Sequence, residues 1–357
     1  SEIIGVLNMT NIAILGFGTV GSGVYSVLSD CDKAPLNDVF VKRILDLRSF
    51  PAHEAGSRVT ADFGEILGDG DISIVVETMG GTNPAYEFSL AAIKAGKSVV
   101  TSNKAVVDKY GRELEAAAAE HGVVYLYEAS VGGGIPIIAP LRDCFSADRI
   151  LRIAGILNGT TNYILTLMAE QGRSFAESLA DAQSKGFAEA DPTADIKGFD
   201  AARKIAILAG IAFGRYIPYE SIPVIRGIDD VTAEDISLAA RLGCCIKLLA
   251  VAEAADNGVS IYVEPHLVGS TSLFRAVNGC FNAVSVTGSA VGETVFYGQG
   301  AGSLPTASAV CGDIARVING VPAAPLRRAA EPGFVRAADG IERRCVDLPN
   351  GKSYPLF

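Results

Sequence analysis

The stretch Ile12-Ala13-Ile14-Leu15-Gly16-Phe17-Gly18-Thr19-Val20-Gly21 decides the fold of the first part of this 357-residue chain. An apolar run of strand type leads directly into the pattern G-x-G-x-x-G, and a helical pattern follows it. Glycines at these positions allow a tight turn, close approach of the backbone to a ligand and close packing of helix on strand. The helix N-terminus offers N–H donors to a pyrophosphate. Because the pattern lies between a strand and a helix, it favours a dinucleotide site over a ligand-free turn. The residues predicted for this site are Gly16, Phe17, Gly18, Thr19, Val20 and Gly21.

Strands and helices alternate over the first 130 residues, which predicts a parallel sheet covered by helices. Apolar runs predict strands at 11–15, 40–47, 72–78, 98–101 and 123–127, and helical patterns are found at 19–28, 84–95 and 105–120. From about residue 150 a different order is predicted: a strand at 150–157, helices at 163–170, 175–184 and 201–212, and a hairpin of 246–253 and 259–267 around the turn 256–258. The sequence therefore predicts an α/β fold, in which a doubly wound, Rossmann-type parallel sheet is followed by an α+β domain.

Composition excludes several classes of protein. The formal net charge is −10, from 30 Lys+Arg against 40 Asp+Glu, and such acidity argues against binding of nucleic acid by bulk charge. The seven cysteines are never spaced as C-x-x-C, and there are only three histidines, a pattern that argues against zinc modules and disulfide frameworks. The best apolar span, 12–28, contains four glycines at loop-like positions. We therefore expect a soluble, cytoplasmic protein without a membrane partner.

Further residues of the cofactor site are expected at the carboxyl ends of the other strands, where ligands bind in open α/β sheets. Asp46 and Arg48 follow the second strand. An acid there favours NAD, because it accepts hydrogen bonds from the ribose, whereas an arginine holds the 2′-phosphate of NADP. With both present, the sequence leaves the choice between NAD and NADP open. Thr78 ends the third strand, and Lys104 follows the fourth strand at the start of a helix, so we expect both in the same crevice.

A second group of polar residues lies between 186 and 204. Asp200 and Lys204 are four residues apart at the start of an apolar helix and therefore share one face. An N-terminal cap and a surface ion pair would explain these two residues without any function. Together with Glu189 and Asp195, however, they form an acidic segment that leads into a lysine, which fits the binding of an ammonium group and proton transfer by Lys204.

These residues carry a family resemblance. The run Ala182-x-x-x-Gly186-Phe187-Ala188-x-x-Asp191-Pro192-x-x-Asp195-Ile196-x-Gly198-x-Asp200-x-x-x-Lys204 resembles the signature of homoserine dehydrogenases. Four further segments agree with that family: Thr101–Lys104, Glu128–Pro136, Asn158–Leu165 and Gly300–Ala307. The resemblance extends from about residue 11 to about residue 320.

The resemblance implies a reversible, NAD- or NADP-dependent reaction between L-homoserine and L-aspartate 4-semialdehyde, in threonine and methionine biosynthesis. It implies that Glu189 binds the substrate ammonium group, while Asp195 and Asp200 shape the pocket and the proton network. Lys204 matches the family's catalytic lysine. Lys104 matches the lysine between cofactor and substrate, which also assists proton transfer.

The resemblance also implies a monovalent cation, usually sodium, bound by Glu128, Val131, Gly133 and Ile135; a simple hinge at 132–134 is the open alternative. Gly302 is implied to return the chain to the nicotinamide. The expected domains are therefore 1–134 with 303–357 for NAD(P) binding, and 135–302 for catalysis and dimerisation. A homodimer or homotetramer that pairs through 246–267 is implied. We expect the short form of the family, without kinase or regulatory domain.

Two other functions compete with this interpretation. A semialdehyde dehydrogenase would need an activated cysteine, and Cys144 is the one considered because it follows Asp143 in a predicted helix. Such a mechanism usually pairs the cysteine with a histidine base, and no histidine here lies in a motif. A dinucleotide-sensing module without catalysis would keep the glycine pattern, but would have no need for the acids and the lysine between 189 and 204.

Overall fold

Two units share the chain in this computed structural model, which describes residues 9–256, 258–322, 334–336 and 344–357. The first unit comprises Ser1–Gly134 and Ala301–Arg327, and the second comprises Ile135–Gly300 and Arg328–Phe357. The predicted turn at 256–258 includes Asn257, which lies outside the described residues. In the described part of the chain, no helix has the length and apolar character required to cross a membrane.

The first unit is built on a parallel sheet of six strands: β1 (Thr10–Leu15), β2 (Val39–Leu45), β3 (Val59–Thr60), β4 (Ile72–Glu77), β5 (Ser98–Thr101) and β6 (Tyr125–Leu126). Their order in the sheet is β3-β2-β1-β4-β5-β6. This is the doubly wound order in which the connections leave β1 and β4 in opposite directions, so that a ligand crevice forms at the carboxyl ends of these two strands. The predicted α/β fold is confirmed.

Helices cover this sheet: α1 (Thr19–Ser29), α2 (Phe63–Leu67), α3 (Ala85–Lys94) and α4 (Lys104–Glu120). In the second unit, the helices are α5 (Ile138–Asp143), α6 (Gly159–Gln171), α7 (Phe175–Ser184), α8 (Thr193–Ile196), α9 (Phe199–Phe213) and α10 (Ala233–Arg241), after which α11 (Ser303–Ile318) returns to the first.

Alternate residues of β1 build the core of the first unit. Ile12 and Ile14 point to one face of the sheet because strand side chains alternate, and both are completely buried. Val24 of α1 and Val310 of α11 join them in the same apolar cluster, since α1 and α11 pack against each other. The returning helix is therefore an integral part of the nucleotide-type fold.

The second unit is built on a mixed sheet. Its strands are β7 (Ile150–Ile156), β8 (Val224–Ile225), β9 (Cys245–Ala255), β10 (Gly258–Val268), β11 (Phe281–Gly288), β12 (Gly292–Gln299) and β13 (Val335–Arg336), in the order β12-β11-β7-β9-β10-β13 with β8 beside β10. Strands β9 and β10 form the predicted antiparallel hairpin, and α9 packs against β7, β9 and β10.

The C-terminal segment corrects one prediction. The sequence assigned all of 303–357 to the first domain, but β14 (Cys345–Asp347) and β15 (Ser353–Pro355) form a hairpin that belongs to the second unit. The Phe357 N–H donates to the Leu267 carbonyl at 2.9 Å. Lys352 contacts the completely buried side chain of Asp235 at 2.7 Å and also the Asp230 carbonyl. This placement depends on ionic and hydrogen-bonded contacts between residues that are far apart in the sequence, and no sequence motif predicts such contacts.

Replacing Asp235 by alanine should lower the free energy of unfolding by about 3 kcal/mol, because a buried, hydrogen-bonded ion pair loses one partner. Burial raises the pKa of Asp235, but hydrogen bonds from Lys352, Thr232 and Asn350 outweigh it and bring the pKa to about 2. This value lies below the ordinary 3.8. The stabilisation is therefore present above about pH 4 and is lost as the pH falls towards 2.

Urea denaturation followed by circular dichroism at several pH values measures this effect. Asp230→Ala is the matched control, since Asp230 is half-exposed and pairs with Arg226, four residues earlier in the chain. This variant should lower the free energy of unfolding by less than about 1 kcal/mol. Equal losses in the two variants would contradict the assignment.

Candidate active site

The glycine turn after β1 leaves no room for side chains at two positions. Gly16 has a φ of +90°, and an added Cβ would lie 3.0 Å from the Met79 backbone. A Cβ on Gly21 would lie 2.0 Å from the Gly16 carbonyl oxygen. By contrast, the space beside Gly18 is open, and no side chain caps the N-terminus of α1. The turn is thus an open cradle with N–H donors at its base, which fits a pyrophosphate.

Asp46 and Arg48 form a bidentate ion pair just beyond β2. The Arg48 Nε and Nη2 atoms donate to the two carboxylate oxygens at 2.9 and 2.8 Å. The Phe17 N–H also donates to Asp46, at 2.8 Å. Hydrogen bonds from Arg48 hold the pKa of Asp46 well below its usual range. The acid is therefore an ionised acceptor attached to the glycine turn, and the exposed guanidinium lies over it.

Thr78 follows β4 and holds the glycine turn from below. Its hydroxyl donates to the Gly16 carbonyl at 2.8 Å, and its N–H donates to the Leu15 carbonyl at 2.9 Å. Lys104 is the half-buried first residue of α4. The side chain of Asn103 caps this helix by accepting from the Val106 N–H at 3.3 Å. Both predicted residues therefore lie at the carboxyl edge of the sheet.

Gly302 precedes α11 with a φ of +120°. The hydroxyl of the next residue, Ser303, donates to the Thr19 carbonyl at 2.6 Å, and an added Cβ on Gly23 would lie 2.7 Å from it. Gly302 is thereby held beside the start of α1. Ser303 was not predicted as a site residue, because its contact with Thr19 depends on the return of the chain after 284 positions.

In the second unit, Lys204 lies on α9 with its ammonium group in a buried polar cluster. Its Nζ atom donates to the Leu157 carbonyl at 2.8 Å and contacts the Asp200 carboxylate at 2.7 Å. Asp200 and Lys204 are both buried. The two alternatives of a simple cap and a surface ion pair are therefore wrong: Asp200 gives α9 no side-chain cap, and the pair is not on the surface.

Asn158 joins the acids to this cluster. It caps α6 by accepting from the Thr161 N–H at 2.8 Å, and its amide nitrogen donates to Asp195 at 2.7 Å and to Asp200 at 2.8 Å. A single amide therefore spaces two carboxylates that would otherwise repel each other. The sequence indicated Asn158 only as part of a family motif, although an asparagine after a strand and before a helix is a recognisable cap signal.

Glu189 lies apart from the buried cluster. Its side chain is exposed, and the loop that carries it is held by the Thr160 hydroxyl, which donates to the Phe187 carbonyl at 2.7 Å. The Gln183 amide donates to the Glu189 carbonyl at 3.1 Å. The acid is thus presented on an anchored loop with its carboxylate available to a ligand.

The predicted cation ligands are spread along one segment. Glu128 begins a 3-10 helix (Glu128–Ser130) and its N–H donates to Asp313 at 2.7 Å. Burial, and then the charge of Glu128, raise the pKa of Asp313 to about 7. Val131 and Gly133 follow in the first unit, whereas Ile135 belongs to the second. Within the described residues, no group of three or more His, Cys, Asp or Glu side chains could hold a metal.

Two of the cysteines have an environment that disfavours an attacking thiolate. All seven are free, and Cys144 is exposed at the end of α5. Burial raises the pKa of Cys311 to about 12 and also raises that of Cys245. An attacking cysteine needs a lowered pKa, so neither Cys311 nor Cys245 is suited to nucleophilic catalysis.

Comparison with known proteins agrees with this geometry. The family model "Homoserine dehydrogenase, NAD binding domain" matches residues 16–128, and the model "Homoserine dehydrogenase" matches residues 136–315. A homoserine dehydrogenase of Synechocystis is 44% identical over 330 residues, which are 90% of this chain and 76% of the relative. One from Pseudomonas aeruginosa is 42% identical over 328 residues, 90% of this chain and 75% of the relative.

Solved structures agree as well. A homoserine dehydrogenase from Thiobacillus denitrificans aligns with a TM-score of 0.86 at 41% identity, covering 93% of this chain and 80% of that chain. A hyperthermophilic archaeal homoserine dehydrogenase in complex with NADPH aligns with a TM-score of 0.74 at 28% identity, covering 88% and 98%. The two family models and these relatives cover most of the chain, and the chain therefore belongs to the homoserine dehydrogenase family.

Proposed function

We propose that this chain interconverts L-homoserine and L-aspartate 4-semialdehyde with NAD(P), and that Lys204 is its proton-transfer residue. The observation that carries the assignment is the burial of the Lys204 ammonium group between Asp200 and the Leu157 carbonyl. A lysine fixed by two acceptors presents its remaining hydrogen in one direction, as proton transfer requires. The reaction belongs to amino-acid biosynthesis.

The chemistry needs one proton and one hydride. When bound, NAD(P) accepts or supplies the hydride at its nicotinamide ring. In the oxidation direction, the Lys204 amine takes the proton from the substrate hydroxyl while the carbon–oxygen double bond forms. In the reverse direction, the Lys204 ammonium group returns a proton to the carbonyl oxygen.

Other residues bind and orient the substrate and the cofactor. Glu189 binds the substrate ammonium group, since its carboxylate is exposed on an anchored loop. Asp200 pairs with the Lys204 ammonium group. The Asn158 amide joins Asp195 to Asp200, so that both acids shape the pocket beside Lys204. Lys104, at the carboxyl edge of the first sheet, contacts cofactor and substrate. Gly16–Gly21, Thr78 and Gly302 form the pyrophosphate cradle and its support.

Replacing Lys204 by methionine should lower kcat for homoserine oxidation by about 10²- to 10⁴-fold, because the proton-transfer group is lost. The dissociation constant of NAD(P)H should stay within threefold, since the glycine cradle is unchanged. Absorbance of NAD(P)H at steady state and fluorescence titration measure the two quantities.

Lys197→Met is the matched control, since Lys197 is an exposed lysine that pairs with Asp229 at 2.6 Å. It should retain a kcat close to that of the unmodified protein. Full activity of Lys204→Met, or an equal loss in both variants, would refute the assignment of Lys204.

Cofactor preference depends on which member of the Asp46–Arg48 pair meets the adenosine ribose. Arg48 is the outer member, with a side chain 62% exposed against 8% for Asp46. We propose that Arg48 turns to the 2′-phosphate when NADP binds, and that Asp46 accepts the ribose hydroxyls when NAD binds instead.

Arg48→Ala should raise the dissociation constant of NADPH about 10- to 100-fold, because a charge-assisted hydrogen bond is lost. The constant for NADH should stay within threefold. Arg43→Ala is the control, because Arg43 lies on β2, before the Asp46–Arg48 pair, and contacts the Lys42 carbonyl at 3.1 Å and Glu65 at 3.6 Å instead of Asp46. A parallel change for both nucleotides would argue against this role of Arg48. A homoserine assay with NAD and with NADP then gives the preference of the unmodified protein.

A dimer is proposed to form through the second unit, but not through 246–267. Those residues correspond to β9 and β10, whose side chains are almost all buried within a single chain. Exposed apolar side chains lie close together on β12 and the 3-10 helix Leu273–Ala276, where Tyr297 is 57% exposed and Leu273 is 61% exposed. A second copy of this face is the proposed partner.

The double variant Leu273→Glu/Tyr297→Glu should shift the molar mass in solution from dimer to monomer, because burying two carboxylates in an apolar contact is costly. Light scattering after size-exclusion chromatography measures the mass. Leu47→Glu, at a residue 91% exposed in the first unit, should leave it unchanged. An unchanged mass in the double variant would exclude this face.

Two further assignments are also proposals. A monovalent cation would be held by carbonyl oxygens of Glu128, Val131, Gly133 and Ile135, since oxygen is the ligand that hard cations prefer.

Action in the cytoplasm is supported by the seven free thiols, which persist in a reducing compartment.

A further inference from the structure

Glu77 is a buried acid that the proposed mechanism does not use. It is the last residue of β4 and is completely buried. One carboxylate oxygen accepts from the Thr101 hydroxyl at 2.6 Å. The other accepts from the Met79 N–H at 2.8 Å and from the Asn103 amide at 3.4 Å. The acid therefore connects residues that follow two different strands of the first sheet.

The partners of Glu77 are all hydrogen-bond donors. Three are N–H groups, from the Met79 and Gly80 backbone and the Asn103 amide. The Thr101 hydroxyl already accepts from the Asn103 N–H at 2.9 Å, so its own hydrogen points to Glu77. No described arginine or lysine forms an ion pair with this carboxylate. Burial raises the pKa of Glu77 above its ordinary value, and the hydrogen bonds from Thr101, Met79, Asn103 and Gly80 offset only part of that rise. The geometry is that of a hydrogen-bond acceptor kept in place by donors alone.

The two connected segments carry residues of the proposed site. On one side, the loop after β4 contains Gly80 and Gly81, which have positive φ values and open space where side chains would lie. On the other side, Asn103 caps the helix that begins with Lys104. The Asn103 amide donates to the Gly81 carbonyl at 2.6 Å, which closes the connection between loop and helix start. Displacement of Glu77 would therefore move both segments.

We propose that Glu77 is a positioning residue for the reaction, which fixes the start of α4, and so Lys104, relative to the loop after β4. The proposal rests on the function proposed above for Lys104. Glu77 itself touches neither substrate nor cofactor. Its contribution is to order two cofactor-facing backbone segments with one carboxylate, a constraint that matters because small misplacements of reacting groups slow chemistry strongly.

Glu77→Gln tests this role with almost no change in shape. The amide replaces one accepting oxygen by a donor, so that either the Thr101 hydroxyl or the Met79 N–H loses its acceptor. We expect kcat to fall about 10- to 100-fold, while the dissociation constant of NAD(P)H stays within threefold because the cradle 16–21 is untouched. Glu77→Asp keeps the charge and should recover part of the lost kcat.

Glu115→Gln is the matched control, because Glu115 is also a buried acid of the first unit and accepts from the Tyr127 hydroxyl at 2.6 Å. It should retain kcat within twofold. The proposal is overturned if Glu77→Gln keeps kcat within twofold, or if kcat and cofactor affinity fall together by the same factor in both variants. If Glu77→Gln does not fold, Thr101→Val takes its place with the same expected result, since it removes the hydroxyl that joins Glu77 to Asn103.

Combination with Lys104→Met separates this proposal from the function on which it rests. If Glu77 acts through Lys104, Glu77→Gln causes little further loss in the Lys104→Met background. If Glu77→Gln lowers kcat by the same factor in the Lys104→Met background as in the unmodified protein, the positioning role is overturned. Full activity of Lys104→Met alone would instead refute the role proposed for Lys104, independently of the result at Glu77.

Discussion

The close contact between Gly21 and the carbonyl oxygen of Gly16 is the constraint on which the first unit depends. A Cβ at Gly21 would lie only 2.0 Å from that oxygen, so α1 can begin directly against the end of β1 only if the position is glycine. This contact aims the N-terminus of α1 at the crevice. Thr78 and Asp46 then hold the turn from neighbouring strands, the first through the Gly16 carbonyl and the second through the Phe17 N–H.

The second unit depends on a different constraint, because it contains buried charged side chains. Asp200 and Lys204 lie within the protein, where an unpaired charge would be very costly. The cluster reduces this cost because Lys204 has two acceptors, and the amide of Asn158 donates to both Asp195 and Asp200. We propose that a lysine held in this way performs the acid–base role, so that the proposed site of this chain, which has three histidines, needs no histidine.

Local patterns predicted most of the fold. The strands before Gly16 and Lys104 and the helix 175–184 lie at or within a residue of their expected positions, because apolar periodicity and capping residues act locally. The edge strand β12 was missed because it is half-exposed and rich in polar residues and glycine. The C-terminal segment was assigned to the wrong unit, since its contacts with Asp235 and Leu267 join residues about 90 to 120 positions apart in the sequence and leave no local signal.

By itself, the sequence determined the fold class, the glycine cradle and the identity of the polar residues at 189–204, because each depends on residue type and spacing within one segment. Only the tertiary structure decided which of those acids share one amide, that Ser303 supports the start of α1, and that Glu77 connects the ends of two strands. These features depend on hydrogen bonds between residues far apart in the sequence, such as Asn158 with Asp200 and Thr101 with Glu77. Hydrogen bonds are directional and short-ranged, so their partners are known only once the chain has brought distant residues within about 3 Å.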